Sequence, residues 1–430
     1  MPDFETLPNG LRVAVEPMPS VASLAVSWLI PVGDAGDHAS RLGEAAMLSE
    51  LLPRGAGDLD SRGFSDALDR LGVQRSVRNG SRSMHVSATM LGDRLENALP
   101  LIVDLVRRPR LPADALEPVR RLCLQSLESL EDEPQRLAMI HLAARHRPPP
   151  FDRSGYGTEA GLDAIEIEHL RQRWAREAVP DGAILAVAGR VETAPLLDRL
   201  SALLGDWEGT ARDVEVAGEP ERGVLHVDRD TSQVHLGVAL DAPPRRDPEA
   251  MDWAIASRIL GGGASSRLFV ELRERRGLCY SVGASASLGR DRGMLTIYAG
   301  STPDRIGESH RLVLEGLAGM ATGIEEIEFR RAAAAFRRGL LAQSERTASR
   351  ASQLATDVDC LGRPRSLDEI AAEAAAVDLD RLRAFTESRF SSEWVARRSE
   401  VHLGPASPDV GTSAGDSSQP SAAAETHEGP

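Results

Sequence analysis

The chain has 430 residues, enough for two to four domains at roughly 100–200 residues each. Its 65 acidic and 50 basic residues leave a formal charge of -15, and every base is Arg, with no Lys anywhere. An acidic chain that is only 4% aromatic argues against nucleic-acid binding, which needs cations for phosphates and rings for bases. The missing Lys excludes Schiff-base and P-loop chemistry and points to a GC-rich genome.

The N-terminal stretch Met1 to Gly10 is polar and lacks the apolar core of a signal peptide. A strand pair follows, Leu11 to Val15 and Ser23 to Leu29, then an apolar helix from Glu44 to Leu52 that ends at Arg54-Gly55. A short helix runs from Phe64 to Gly72, a strand from Met84 to Met90, and paired helices from Asp93 to Val106 and Ala113 to Leu130. The half closes with the apolar strand Ala183 to Gly189.

The same plan then repeats. Strands Gly223 to Val227 and Val234 to Ala239 precede an apolar helix, Glu249 to Leu260, ending in Gly261, Gly262 and Gly263. A short helix runs from Phe269 to Gly277, a strand from Met294 to Gly300, helices from Asp304 to Leu317 and Ile324 to Ser344, and a closing strand from Glu400 to Gly404. Matching segments are offset by about 205–210 residues, too long for a solenoid repeat and right for a duplicated domain. Alternation such as Met84-His85-Val86-Ser87-Ala88 predicts largely antiparallel sheets with one face covered by helices, hence an α+β fold. The expected division is 1–208, a Gly- and Pro-containing linker 209–222, 223–405, and a tail 406–430. The tail lacks Arg and aromatic residues, so it is expected to be disordered.

No metal motif is visible among the ten histidines. His141 and His146 are spaced off a common helix face, which predicts a solvated helix surface. His226, His235 and His402 fall on predicted strands and read as ordinary sheet residues. Cys123, Cys279 and Cys360 are far apart and read as buried thiols of a reducing compartment. No apolar run is long enough to span a membrane, so a cytoplasmic location is expected.

Several segments together resemble the M16 (insulinase/pitrilysin) peptidase family, of the processing-peptidase type. They are Leu7-Pro8-Asn9-Gly10-Leu11-Arg12-Val13, Gly43 to Gly55, Leu260 to Phe269, and Glu271 to Val282. The resemblance implies two homologous α+β domains forming half of a clamshell. Active members carry HxxEH on the first helix: two zinc-binding His, a Glu base, and a distal Glu ligand. That spacing works because positions i, i+3 and i+4 share one helix face. Here the positions are Ala46, Ser49 and Glu50, and the distal one falls near Ser126, with Glu128 close in register. No zinc is expected there, since catalytic zinc needs three protein ligands. The flanking segment Arg75-Ser76-Val77-Arg78 also departs from the small residues of active members.

The family pattern also carries an Arg and a Tyr in the relation of Arg273 and Tyr280. The resemblance implies that they reach a zinc site in trans, the phenol toward a developing oxyanion and the guanidinium toward a substrate carbonyl. Taken as residues alone, Arg273 is a solvated helix residue in a charged segment and Tyr280 a core aromatic. Gly261 to Gly263 is either a helix cap with a tight turn or, as the resemblance implies, a loop touching substrate.

The expected function is a non-catalytic subunit of a heterodimeric zinc peptidase. The chain binds no cofactor, zinc sits in an HxxEH-bearing partner, and the substrate is a peptide, cationic by the chain's acidity. A structural or peptide-binding pseudopeptidase, acting as a homodimer or scaffold, is the alternative. A peptidase with an unfamiliar site of its own is the third.

Overall fold

The structure, a computed structural model, describes residues 1–405, apart from the side chains of residues 343 and 344. The expected disordered tail, 406–430, lies outside the described residues. In the first half, strands β1 (Asp3–Thr6), β2 (Arg12–Pro17), β3 (Ser23–Ile30), β4 (Gly55–Ala56), β5 (Leu59–Asp60), β6 (Gln74–Asn79), β7 (Met84–Leu91) and β8 (Ile184–Gly189) are interleaved with helices. These are α1 (Glu44–Leu51), α2 (Ser61–Arg70), α3 (Leu95–Arg107), α4 (Leu116–Glu128), α5 (Pro134–His146), α6 (Glu159–Asp163), α7 (Ile167–Glu177) and α8 (Thr193–Leu204). The second half contains β9 (Gly223–Val227), β10 (Val234–Ala242), α9 (Ala250–Gly261), a π-helical turn (Phe269–Arg275), β11 (Cys279–Leu288) and β12 (Gly293–Ser301). It ends with α10 (Ile306–Ala321), α11 (Glu326–Ser344), α12 (Thr347–Leu361), α13 (Leu367–Ala375), α14 (Leu379–Arg389), α15 (Ser392–Ala396) and β13 (Ser399–Leu403).

The strand orders are β1-β2-β8-β3-β7-β6 and β11-β12-β10-β13-β9. Read from opposite ends and without β1, these are one topology used twice. Each sheet is antiparallel except for one parallel pair, β2 with β8 and β9 with β13. The α+β class and the duplicated plan expected from the sequence are both present.

One face of each sheet meets helices of its own half. Leu24, Val26, Trp28, Met84, Val86, Leu185 and Val187 join Met47, Leu48, Leu51 and the α3 side chains in one core. Leu236, Val238, Leu240, Leu295 and Ile297 join Trp253, Ile259, Val313 and Phe385 in the other. The opposite faces are covered too, and by helices from the other half. Ala14, Ala25, Ile184, Ala186 and Ala188 of the first sheet pack on Ala351, Leu354, Ala355 and Val358 of α12. Ala239, Val401 and Leu403 of the second pack on Leu137, Ala138 and Leu142 of α5. The alanines let each helix lie close to the strands. Periodicity predicted one covered face; the second follows because β8 is apolar on both sides and β2 and β3 set Ala14 and Ala25 beside it.

Polar contacts finish the exchange. Arg350 of α12 is buried; its guanidinium bonds the Glu16 carboxylate on β2, with Nε at 2.8 Å, and the Arg365 carbonyl at 2.6 Å. At the α5 end, His146 is buried and not on a solvated helix surface as expected, because β13 lies over it: Nδ1 is 3.0 Å from Ser399 Oγ. The β6–β7 and β11–β12 hairpin tips meet through Arg82 and Asp291 at 2.6 Å. Residues 209–222 have no regular structure but are pinned, as where Ala217 N donates to the Pro149 carbonyl at 2.8 Å. All three cysteines are free and buried, as expected.

The buried and the exposed cross-half pairs should differ in weight. Arg350→Met strands the Glu16 carboxylate and is expected to destabilise by about 3–5 kcal/mol in urea unfolding. Asp291→Ala at the exposed tip is expected to cost no more than about 1 kcal/mol.

Candidate functional site

Both halves set a helix against an outer edge strand: α1 against β6, and α9 against β11. In the first half α1 is held by its N-terminus. Gly43 precedes it at φ 116, a conformation that Gly adopts without a steric penalty, and a Cβ there would meet Leu162 at 2.6 Å. Asp37 accepts from Gly43 N at 2.7 Å and Ala45 N at 3.1 Å, satisfying two helix-start donors. Arg173, buried, ties Asp37 to Glu44 and to the Gly33 carbonyl.

On this anchored helix Ala46, Ser49 and Glu50 do share a face, but they form no ligand set. Ser49 is buried and its Oγ donates to the Ala46 carbonyl at 2.7 Å. Glu50 is exposed. Ser126 of α4 turns its Oγ to the Leu122 carbonyl at 2.8 Å, and Glu128 is exposed. Burial, with the Glu50 charge adding to it, pushes the Cys123 thiol of α4 up to about 12, so Cys123 is a protonated thiol there. One carboxylate and hydroxyls committed to their own helices do not fit a zinc ion. Arg75 of β6 further fills the flank, its guanidinium 5.3 Å from the Phe64 ring centre.

The second half presents a different surface. Phe269 and Arg273, four residues apart, stand on one side of the π-helical turn, and β11 starts at Cys279, shortly after it. The Arg273 guanidinium lies 4.9 Å from the Phe269 ring centre and 5.2 Å from that of Tyr280. Tyr280 is 76% exposed, which removes the core-aromatic reading. An exposed phenol held by a stacked guanidinium is a hydrogen-bond donor with a defined direction and no buried packing role. Arg273 forms no ion pair among the described residues, whereas its neighbours Arg275 and Arg276 both bond Glu271.

The three glycines separate into roles. A Cβ on Gly261 would lie 2.3 Å from Ala284 N, so this glycine brings α9 against the Tyr280 strand. None of the three takes a left-handed conformation, so the left-handed cap does not occur. Gly263 faces open space. Gly261 thus ties the loop to the strand that carries Tyr280 beside Arg273, while Ala46, Ser49, Glu50 and Ser126 lie in the other half, on α1 and α4.

Sequence reasoning missed one constellation. His310 of α10 and Glu400 and His402 of β13 converge, and they are the only group of three or more His, Cys, Asp or Glu among the described residues whose ligating atoms meet. Glu-x-His on a strand was a usable signal, because i and i+2 share a face. His402 is accordingly more than the ordinary sheet residue that was expected.

Asp34, just before α1, carries a testable charge effect. Its Oδ1 is buried without a hydrogen-bond partner. Burial first, then repulsion from Asp37, push its carboxyl up to about 6 despite Arg153 and Arg147 nearby. The folded chain holds this proton more tightly than the unfolded one, so the contribution is full below the unfolded value and is lost as pH rises toward 6. Asp34→Asn is expected to be more stable at neutral pH by up to ~3 kcal/mol and to lose the decline between about pH 4 and 6, read by urea unfolding at stepped pH.

Residues 164–336 match the family model described as Peptidase M16 inactive domain. An uncharacterized zinc protease of Mycobacterium tuberculosis is 29% identical over 408 residues, covering 92% of each chain. The uncharacterized zinc protease YmxG of Bacillus subtilis is 25% identical over 398 residues, covering 90% of this chain and 96% of that one. The crystal structure of a peptidase M16 inactive domain from Pseudomonas fluorescens superposes with a TM-score of 0.84 at 22% identity, covering 95% and 98%. No helix among the described residues is long and apolar enough to cross a membrane. The twofold sheet plan, the helix that keeps the spacing of a zinc motif without its ligands, and these matches agree: residues 164–336 match an M16 peptidase inactive domain, and the chain as a whole is similar to proteins named as zinc proteases and shares its fold with that M16 inactive domain.

Proposed function

We propose that this chain is the non-catalytic subunit of a two-subunit M16 peptidase acting in the cytoplasm. A partner bearing HxxEH supplies the zinc, the general base and the cleft wall. This chain supplies Arg273 and Tyr280. The observation that carries the reading is the stacked, exposed Arg273–Tyr280 pair on a chain whose own α1 cannot hold a metal.

The chemistry follows from the two side chains. Attack on a peptide carbonyl moves charge to its oxygen, and a positioned phenol O–H stabilises that oxygen more than the ground-state carbonyl. The guanidinium beside it donates to a neighbouring substrate carbonyl and keeps the phenol oriented. β11 is an outer strand, and its free edge offers backbone groups to an extended peptide. Gly263 leaves room at the start of that path.

The pure chain is expected to show no peptidase activity. Mixed with its HxxEH partner it should support cleavage of unstructured peptides. Tyr280→Phe keeps the ring under Arg273 and removes only the hydroxyl, so kcat in the mixture is expected to fall by about 10²–10³ with little change in complex formation. Full activity of the Tyr280→Phe mixture would sink the trans role and leave a scaffold or peptide-binding subunit.

A further inference from the structure

β13 is buried along its whole length. Its alternation sends Val401 and Leu403 to α5 and turns Glu400 and His402 toward α10. On that side β10 sets Val238 beside Glu400 and Leu236 beside His402, so a carboxylate and an imidazole are placed in an apolar layer. Such groups cost several kcal/mol each unless they are partnered. His310 of α10 completes the partnership.

His310 Nε2 is 2.9 Å and His402 Nε2 3.2 Å from the same oxygen, Glu400 Oε2. The two rings meet edge-on, with centres 5.6 Å apart. Arg398 Nε bonds the other oxygen, Oε1. One carboxylate oxygen is thus addressed by two imidazole nitrogens, and its sister oxygen is held from behind. The three ligand atoms lie within 4.8 Å of one another. The two nitrogen–oxygen separations approach the edge of a tetrahedron with bonds of ~2.0–2.1 Å, which is about 3.3 Å.

We propose that His310, Glu400 and His402 form a binding site for a divalent ion of the zinc class. The two His and one carboxylate are a ligand set that suits zinc, and Arg398 acts as the outer partner that fixes the carboxylate as a single-oxygen ligand. The ion replaces the protons that both Nε2 atoms otherwise direct at one acceptor. Its role is structural, because the three ligands are buried and join α10 to the sheet. β9 pairs with β13 as the outer strand and sets the exposed His226 beside His402. The site lies on other elements than Ala46, Ser49 and Glu50 and does not depend on the role given to Tyr280.

The test uses the full chain, stripped with a chelator and then titrated with ZnCl2. The wild type is expected to retain about one zinc per chain after gel filtration and to melt at a higher temperature than the stripped form. His310→Gln and His402→Gln should each abolish retention, while Glu50→Gln should keep it. No retained zinc in the wild type, or unchanged retention in both His variants, overturns the proposal. Should the variants fail to fold, zinc X-ray absorption of the wild type decides: two imidazoles around the ion are expected, and fewer than two refute the site.

Discussion

The packing of α5 and α12 on each other's sheets is the constraint on which the rest depends. Each sheet has two apolar faces, and its own half covers only one. The second face of the first sheet is an alanine surface filled by α12, and that of the second is filled by α5. The halves are therefore not joined by a linker alone. They share two cores, sealed by Arg350 on Glu16 at one end and by His146 on Ser399 at the other. The outer edge strands β6 and β11 keep their places because the sheets that carry them cannot shift independently.

That rigidity explains how a helix can outlive its chemistry. α1 retains the Gly43 entry, the Asp37 cap and the Arg173 tether, which serve the fold. The positions that would serve a metal hold Ala46, Ser49 and Glu50, which serve neither ligand nor base. In the second half the equivalent helix ends in glycines, and the turn after it displays Arg273 and Tyr280. Duplication has thus given two equivalent corners with different contents.

Much of this was legible in the sequence. The strands announce themselves by alternation, and the repeat by the offset of the Phe64–Gly72 and Phe269–Gly277 segments. Ala46, Ser49 and Glu50 could be located because helix spacing is local. What could not be read was long-range. The apolar stripe of α12 says that it is buried, not that Ala186 lies beneath it. The solvated surface expected for His146 failed because nothing local announces β13 above it. His310 is 90 residues from Glu400, so no motif search joins them. The exposure of Tyr280 follows from its place at the start of β11, an outer strand, which the local sequence does not announce.

The exchange of helices has a consequence for how the chain is made. β8 ends at Gly189, but α12 begins only at Thr347, about 160 residues later. Until the ribosome has released α12, the first sheet carries a bare face of Ala14, Ala25, Ile184, Ala186 and Ala188. α5 waits in the same way for β10 and β13. The first half cannot reach its native state as it emerges, and it must be kept from strange partners until α12 is out, whereas the second half finds α5 already made. The two halves look like independent domains in sequence, but in synthesis they are a single event.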